Sequence, residues 1–354
     1  MKNRILTRLF YIFLLAAFSI PLSAQEEPVA KKDTTAFDAS TFILDHLADS
    51  HEWHILTKKN GKAMAIYLPV ILYSKEKGLD IFSSKKLSDG KIYKGYKLQE
   101  EGDLKGKIFM ANEAGEIDEK KQPLDFSMTK TVVGMLAAAL IGLWFFISLG
   151  RSYKKSGISY PKGIQSFLEP AVLFIRDDIA IPNIGEHHYE KYMPYLLSVF
   201  FFILINNVMG LIPFPPPFGA NVTGNIALTF VLAACTFFIT QFSGNKTYWK
   251  HIFAAPGVPF WLLPIMIPVE IIGLLSKPFA LMIRLFANIT AGHIVVLSLI
   301  CLIFIFDSLS IAPVSIFFVI FMDCLELLVA FLQAYIFTLL SSLFIGMAMP
   351  EEHH

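Results

Sequence analysis

Cysteine is scarce: the 354 residues hold three, Cys235, Cys301 and Cys324, each inside an apolar run. That placement excludes a disulfide framework and a thiolate metal or redox centre, and leaves three small packing residues. Net charge is nearly absent too. Thirty Lys and Arg against 29 Asp and Glu give +1, so no overall field draws in a nucleic acid, and none is expected as a partner. No stretch fits GxxxxGK[ST], which removes that phosphate-cradling loop and any nucleotide chemistry built on it. Charged residues of any sign make up only 17%, against 55% hydrophobic and 14% aromatic, with a mean hydropathy of +0.56. A soluble domain is far more polar, so most of this chain is bilayer protein.

The first residues carry Lys2, Arg4 and Arg8, then LFYIFLLAAFSI, then PLSA before QEE. This order of charged, apolar and small residues predicts a signal peptide over 1–24, cut after Ala24, with an uncleaved anchor as the alternative because Leu22 stands where a small residue is preferred. Residue 25 onward is exported on either reading. Residues 25–126 are polar, with alternating pieces such as MAIYLPVILYS, KIYKGYKL and GKIFMAN that predict a few strands in an extracytoplasmic segment. HLADSHEWHI brings His46, His51, Glu52 and His54 close in sequence, but the spacing fits no strong metal pattern. An interfacial helix with Trp53 at headgroup level is the preferred reading, and no metal is expected.

Residues 127–354 form the membrane part. Spans are expected over 131–150, 195–213 and 225–242, each near the ~20 residues a crossing needs. Arg151, Lys154, Lys155, Lys162, Arg176 and Lys191 follow the first, and Lys246 and Lys250 the third, whereas PFPPPFGAN after the second has no cation. The positive-inside rule therefore makes 151–191 and 244–251 cytoplasmic and 213–222 external, in agreement with an exported N-terminus. Within the first of these loops, FLEPAVLFIRDDIAI reads as an amphipathic surface stretch.

The last two apolar stretches, 258–305 and 308–349, are too long for upright spans: 48 and 42 residues, or ~72 and ~63 Å as helix against a core of ~30 Å. Each either breaks in two or tilts steeply. No polar turn interrupts Phe279 to Phe306 or Val314 to Met349, which favours a tilted antiparallel hairpin turning near Asp307, and such tilt needs a packing partner. Inside the pair stand Glu270, Lys277, Arg284, Asn288 and His293, then Asp323, Glu326 and Gln333. A charge at mid-bilayer costs ~2.5–3.5 kcal/mol, so these residues are functional candidates. At ~100° per residue Arg284 and Asn288 share a face and His293 points away from it, while Glu326 and Gln333 share a face with Asp323 offset by about 60°. A histidine and a carboxylate meeting between helices make a proton relay. Arginine cannot relay, because it stays charged; its effect is electrostatic.

PVEIIGLLSKPFALMIRLFANITAGH (268–293) and ELLVAFLQAYIFTLLSSLFIGMA (326–348), with ILINNVMGLIPFPPP and ANVTGNIALT before them, resemble subunit a of the rotary F-type ATP synthase over roughly 130–350. The resemblance implies an all-α multi-pass fold of about five membrane helices, with the tilted hairpin set against a ring of small subunits (subunit c) that carry mid-membrane carboxyls. It also implies a peripheral stalk (subunit b), the rest of that complex and the lipid bilayer as partners, no cofactor, an inner-membrane location with a cytoplasmic C-terminus, and a non-catalytic role in proton transport. Two half-channels would be separated by Arg284, with Asn288 beside it, Gln333 on the facing helix, His293, Glu326 and Glu270 as further translocation residues, and Asp323 close by. His293 and Glu326 stand exchanged relative to many bacterial members. The exported segment of about 100 residues and Asp323 are departures from the family pattern. A secondary transporter would show a second half matching the Arg284 region, and none is visible. A sensor anchored by its spans would leave Arg284, His293 and Glu326 without a role. Bland readings are a structural ion pair for Arg284, snorkelling for Lys277 and interhelical polar contacts for Asn206 and Asn207.

Overall fold

The computed structural model describes residues 38–57, 63–99, 104–111, 117–118, 121–156, 163–212, 215–253, 259–306, 308 and 310–349; the expected signal peptide, Lys162 and Asp307 lie outside them. Five helices are long and apolar enough to cross a membrane, and the strands are confined to the N-terminal part.

A short helix, α1 (Ala39–Leu47), leads into β1 (Glu52–Thr57) and β2 (Ala63–Tyr67), an antiparallel pair with an irregularity between His54 and Leu56. β3 (Pro69–Ser74), β4 (Gly78–Ser83), β5 (Tyr96–Leu98), β6 (Ile108–Ala111), β7 (Ile117–Asp118) and β8 (Leu124–Asp125) form two three-stranded sheets in the orders β4-β3-β8 and β5-β6-β7. Alternation does the sorting here. Val70, Leu72 and Ser74 of β3 point inward while Tyr73 points out, as the two-residue period of a strand requires. Val70 and Leu72 pack with Phe82, Leu87, Tyr96, Ile108 and Met110 in a small apolar core.

The sequence around Trp53 folds differently from the interfacial helix expected of it. α1 ends at Leu47, and Trp53 lies on β1, 5% exposed, against Ala220 and Val222. The physical reason is that a strand carries Trp53 to one face, where an apolar loop of the membrane part covers it. His51 Nε2 sits 3.2 Å from Asp125 Oδ2. Burial alone would raise the Asp125 pKa, but hydrogen bonds from His51 and from the Ser127 side chain and backbone outweigh it and hold the carboxyl below its ordinary value.

α2 (Lys130–Ser156) is the first long helix. The stretch expected to lie on the surface is helical: α3 (Ile164–Phe174) passes through a π-helical turn, Ile175–Ala180, into α4 (Ile181–Ile184). Its apolar side is covered by protein rather than lipid, since Leu168, Ile175, Ile179, Ala180 and Ile184 belong to the main core. α5 (Tyr189–Leu211) and α6 (Ile226–Ser243) follow, the latter capped by Asn225, whose side chain accepts from the Ala227 amide at 3.0 Å. After the short α7 (Lys246–Phe253) come α8 (Leu263–Ile305) and α9 (Ala312–Met347), of 43 and 36 residues.

Neither α8 nor α9 breaks into two spans. Three contacts fix them as an antiparallel pair: Ser315 Oγ donates to the Leu299 carbonyl, His293 faces Glu326, and Lys277 Nζ lies 5.6 Å from the centre of the Phe344 ring. At ~65 and ~54 Å they exceed the ~30 Å hydrocarbon core roughly twofold. α5 packs on α9 and α6 on α8, so the pair is backed on one side, while apolar side chains such as Ile272, Phe279, Phe317, Leu327 and Leu328 stay exposed on the other.

At its far end α9 crosses α4 so closely that a Cβ on Gly346 would lie 1.8 Å from the Asn183 carbonyl oxygen. Backbone cannot step aside as a side-chain tip can. Gly346→Ala is therefore expected to destabilise by ~1–3 kcal/mol, the usual range for overpacking, read as a lower unfolding temperature in detergent. An unchanged midpoint would mean that α4 yields.

Candidate functional site

The polar residues of the long pair fall into two groups along α8. His293 is half-buried where α8, α9 and α5 meet. Its Nδ1 is 3.9 Å from Glu326 Oε2, and its Nε2 is 3.7 Å from the point where a Cβ on Gly210 would sit. The first distance exceeds a direct hydrogen bond. One bridging water or a small rotation closes it. Glu326 Oε1 is buried and has no hydrogen-bond partner among the described residues. The two side chains share a small cleft with Asn207, Leu211, Asn288, Ile289, Val329 and Ala330.

Glu326 reaches this place because its neighbour is glycine. A Cβ on Gly292 would lie 2.1 Å from Glu326 Oε1. Gly292→Ala is thus expected to push the carboxyl out of the cleft without unfolding α8, since the clash is with a movable side-chain tip. The measurement is the His293 to Glu326 separation in a structure of the variant. An unshifted carboxyl would show that the backbone had moved instead.

Asn207 is used on both sides. Its Nδ2 donates to the Ala330 carbonyl at 3.2 Å, and its Oδ1 accepts from Thr223 Oγ1 at 2.6 Å. It is a polar tie between α5, α9 and the loop between α5 and α6 as well as a wall of the cleft. Asn206 Nδ2 bonds back to the Phe202 carbonyl at 2.8 Å.

The second group lies towards the start of α8. Lys277, Pro278 and Leu274 border a small cleft with Thr236, Thr240 and Gln241 of α6, Tyr248 of α7, and Phe344 and Met347 of α9. Burial, opposed by a hydrogen bond with Gln241 and assisted by the nearby Glu270 carboxylate, raises the Tyr248 phenol above its ordinary pKa. Lys277 and His293 are 16 residues apart on one helix, ~24 Å of axial rise. Arg284 stands between them.

Arg284 is exposed and has no hydrogen-bond or ion-pair partner among the described residues. Asn288, one turn on, is exposed on the same face, whereas His293 turns inward, as a 100° step requires. Interpolating between the Lys277/Phe344 and His293/Glu326 contacts puts Gln333 within about one helical turn of the level of Arg284, and Gln333 is 5% exposed. Asp323 is exposed, one turn before Glu326 and outside the cleft. The structure thus joins His293, Glu326 and Asn288 in one cleft, sets Glu270 beside the other, and leaves Arg284 and Asp323 facing outward.

Sequence reasoning missed Tyr248, Gln241, Thr236 and Thr240 as neighbours of Lys277. Thr236 and Thr240, four apart in an apolar run, were the available signal, because that spacing puts both hydroxyls on one helix face.

Comparison with known proteins matches residues 131–346 to the family described as ATP synthase A chain, and residues 42–126 to a family described only as a domain of unknown function. A protein of Chloroherpeton thalassium named ATP synthase subunit a is 50% identical over 236 residues, covering 65% of this chain and 69% of the relative. Proteins of the same name from Pelodictyon phaeoclathratiforme and Myxococcus xanthus are each 48% identical, over 262 and 238 residues; these cover 71% and 65% of this chain, and 75% and 76% of the relatives.

Proposed function

From the premise that this chain belongs to the ATP synthase A chain family, we propose that it is the proton-conducting stator subunit of the membrane sector of an F-type ATP synthase. One observation carries the mechanism: an arginine with no partner among the described residues, on the open face of an apolar helix pair, flanked along that helix by two separate clefts that hold polar side chains. A bare guanidinium at that depth costs ~2.5–3.5 kcal/mol. A second membrane protein that presents a carboxyl would offset the cost, and the outward apolar face offers it a docking surface. A ring of small subunits with mid-membrane carboxyls is that partner.

The cleft of His293 and Glu326 is the half-channel from outside, and the cleft of Lys277, Tyr248 and Gln241, with Glu270 beside it, is the one to the cytoplasm. A proton comes from external water to the Glu326 and His293 pair and passes to a ring carboxylate, which becomes neutral and turns into the bilayer. After nearly a full revolution the carboxyl meets Arg284, whose fixed charge favours the ionised form, and the proton leaves through the second cleft. Asn288 and Gln333 hydrogen-bond the passing carboxyl, and Asp323 adds negative potential near the entry. Each charge that crosses 100 mV supplies ~2.3 kcal/mol. Nucleotide chemistry belongs to other chains, the peripheral stalk holds this one against rotation, and the inner membrane is the location, with an exported N-terminal segment and a cytoplasmic C-terminus.

Isolation in mild detergent tests this reading. The chain should emerge with a ring of small hydrophobic subunits, and that complex in liposomes should conduct protons under a potassium diffusion potential. Recovery as a stable monomer with no ring would refute it.

A further inference from the structure

Among the described residues the N-terminal domain meets the membrane part at α8 beyond His293, at the start of α2 and at the loop between α5 and α6. Ala39 and Ile43 of α1 face Val295, Ser298 and Leu302 of α8 across a groove. Asp49 Oδ1 accepts from the Thr131 amide at 3.0 Å, and the Lys130 amide donates to the Ser50 carbonyl at 2.9 Å, so the turn after α1 caps the start of α2. Trp53 closes over Ala220 and Val222. On its other side α1 is held to the β-rich part by the ion pair of Asp45 and Lys105, 2.5 Å apart.

Lys130 Nζ donates to the His46 carbonyl at 3.2 Å, and α1 shares its groove with Val295 of α8, two residues beyond His293. His46 is exposed in the last turn of α1. Trp53 and its neighbours are an apolar seal over the loop between α5 and α6, while His46 and Lys130 put polar groups where α1 meets the start of α2.

We propose that the N-terminal domain forms the mouth of the external proton path, with the last turn of α1 and Lys130 as its rim. This rests on the proton reading above and extends it to a domain which that reading leaves idle. The rim filters what reaches the cleft. A hydrated metal cation has to carry its water shell past the rim, whereas a proton passes by exchange along waters and imidazole.

The test uses the whole complex. In a background of Cys235→Ala, Cys301→Ala and Cys324→Ala, one thiol is introduced by His46→Cys at the rim, and in a separate chain by Lys85→Cys, an exposed position elsewhere in the β-rich part. Both are treated from the extracytoplasmic side with a bulky, membrane-impermeant thiol reagent. Passive proton conduction is then measured in vesicles stripped of the soluble head, each variant against its own untreated sample. Conduction should fall several-fold on labelling at position 46 and stay unchanged on labelling at 85. Full labelling at 46 without loss of conduction overturns the mouth, and so does failure of that position to label, because an entrance must be reachable from external water. If the untreated native complex conducts no protons at all, the parent reading falls and this one with it.

Discussion

Arg284→Ala should abolish ATP-driven acidification of inverted membrane vesicles while leaving the complex assembled. The guanidinium makes no described contact within the chain, and its helix is held by other residues: Leu281, Met282 and Leu285 are buried around it. Truncation therefore removes a charge without opening the core. An opposite charge within ~4–6 Å lowers a carboxyl pKa by ~1–3 units, so losing it slows release of a ring proton by about ten- to a thousandfold. Head-stripped vesicles supply the second measurement. Without the fixed charge, protons can pass from one cleft to the other without rotation, and passive leak should rise. Unimpaired pumping in an assembled complex would make Arg284 structural and this mechanism wrong, whatever the family.

Glu326→Gln should cut coupled proton flux by about a hundredfold, the low end of what a positioned proton-transfer group contributes. The substitution suits the question because glutamine keeps the volume and the hydrogen-bonding reach of glutamate and loses the ability to ionise. A merely structural Glu326 would tolerate it. The buried Oε1 and the 3.9 Å gap to His293 favour the relay, since among the described residues neither oxygen makes a hydrogen bond that could define a structural role. The double variant His293→Glu with Glu326→His is the complementary experiment: it keeps one imidazole and one carboxyl in the same cleft and should recover much of the flux that either single change loses. Flux in Glu326→Gln equal to native would exclude proton transfer through this side chain.

The sequence determined more of the membrane part than of the domain before it. Uninterrupted apolar runs set the five long helices, because in hydrocarbon a backbone must satisfy its own hydrogen bonds and a helix does so within one segment. The 100° step alone put Arg284 with Asn288 and turned His293 away, and both hold in the structure. Short-range rules worked less well near Trp53. There the outcome depended on Ala220 and Val222, more than 160 positions away, which no local pattern around Trp53 contains. Burial of the stretch at 164–184 likewise needed α9 as a neighbour, since an amphipathic helix does not specify whether lipid or protein covers its apolar face.

What tertiary structure alone decided is which polar groups share space. Sequence identified Arg284, His293, Glu326, Glu270 and Lys277 as ionisable residues in apolar surroundings, because the cost of a charge at that depth is a property of the residue and its run. It could not assign Lys277 to a cleft with Tyr248 and Gln241, set α1 against α8 beyond His293, or bring Glu326 to His293, because those groupings depend on how separate helices cross and on a glycine at 292 that lets one side chain lie against another's backbone. Helix periodicity sets direction within an element; only packing between elements sets distance across them.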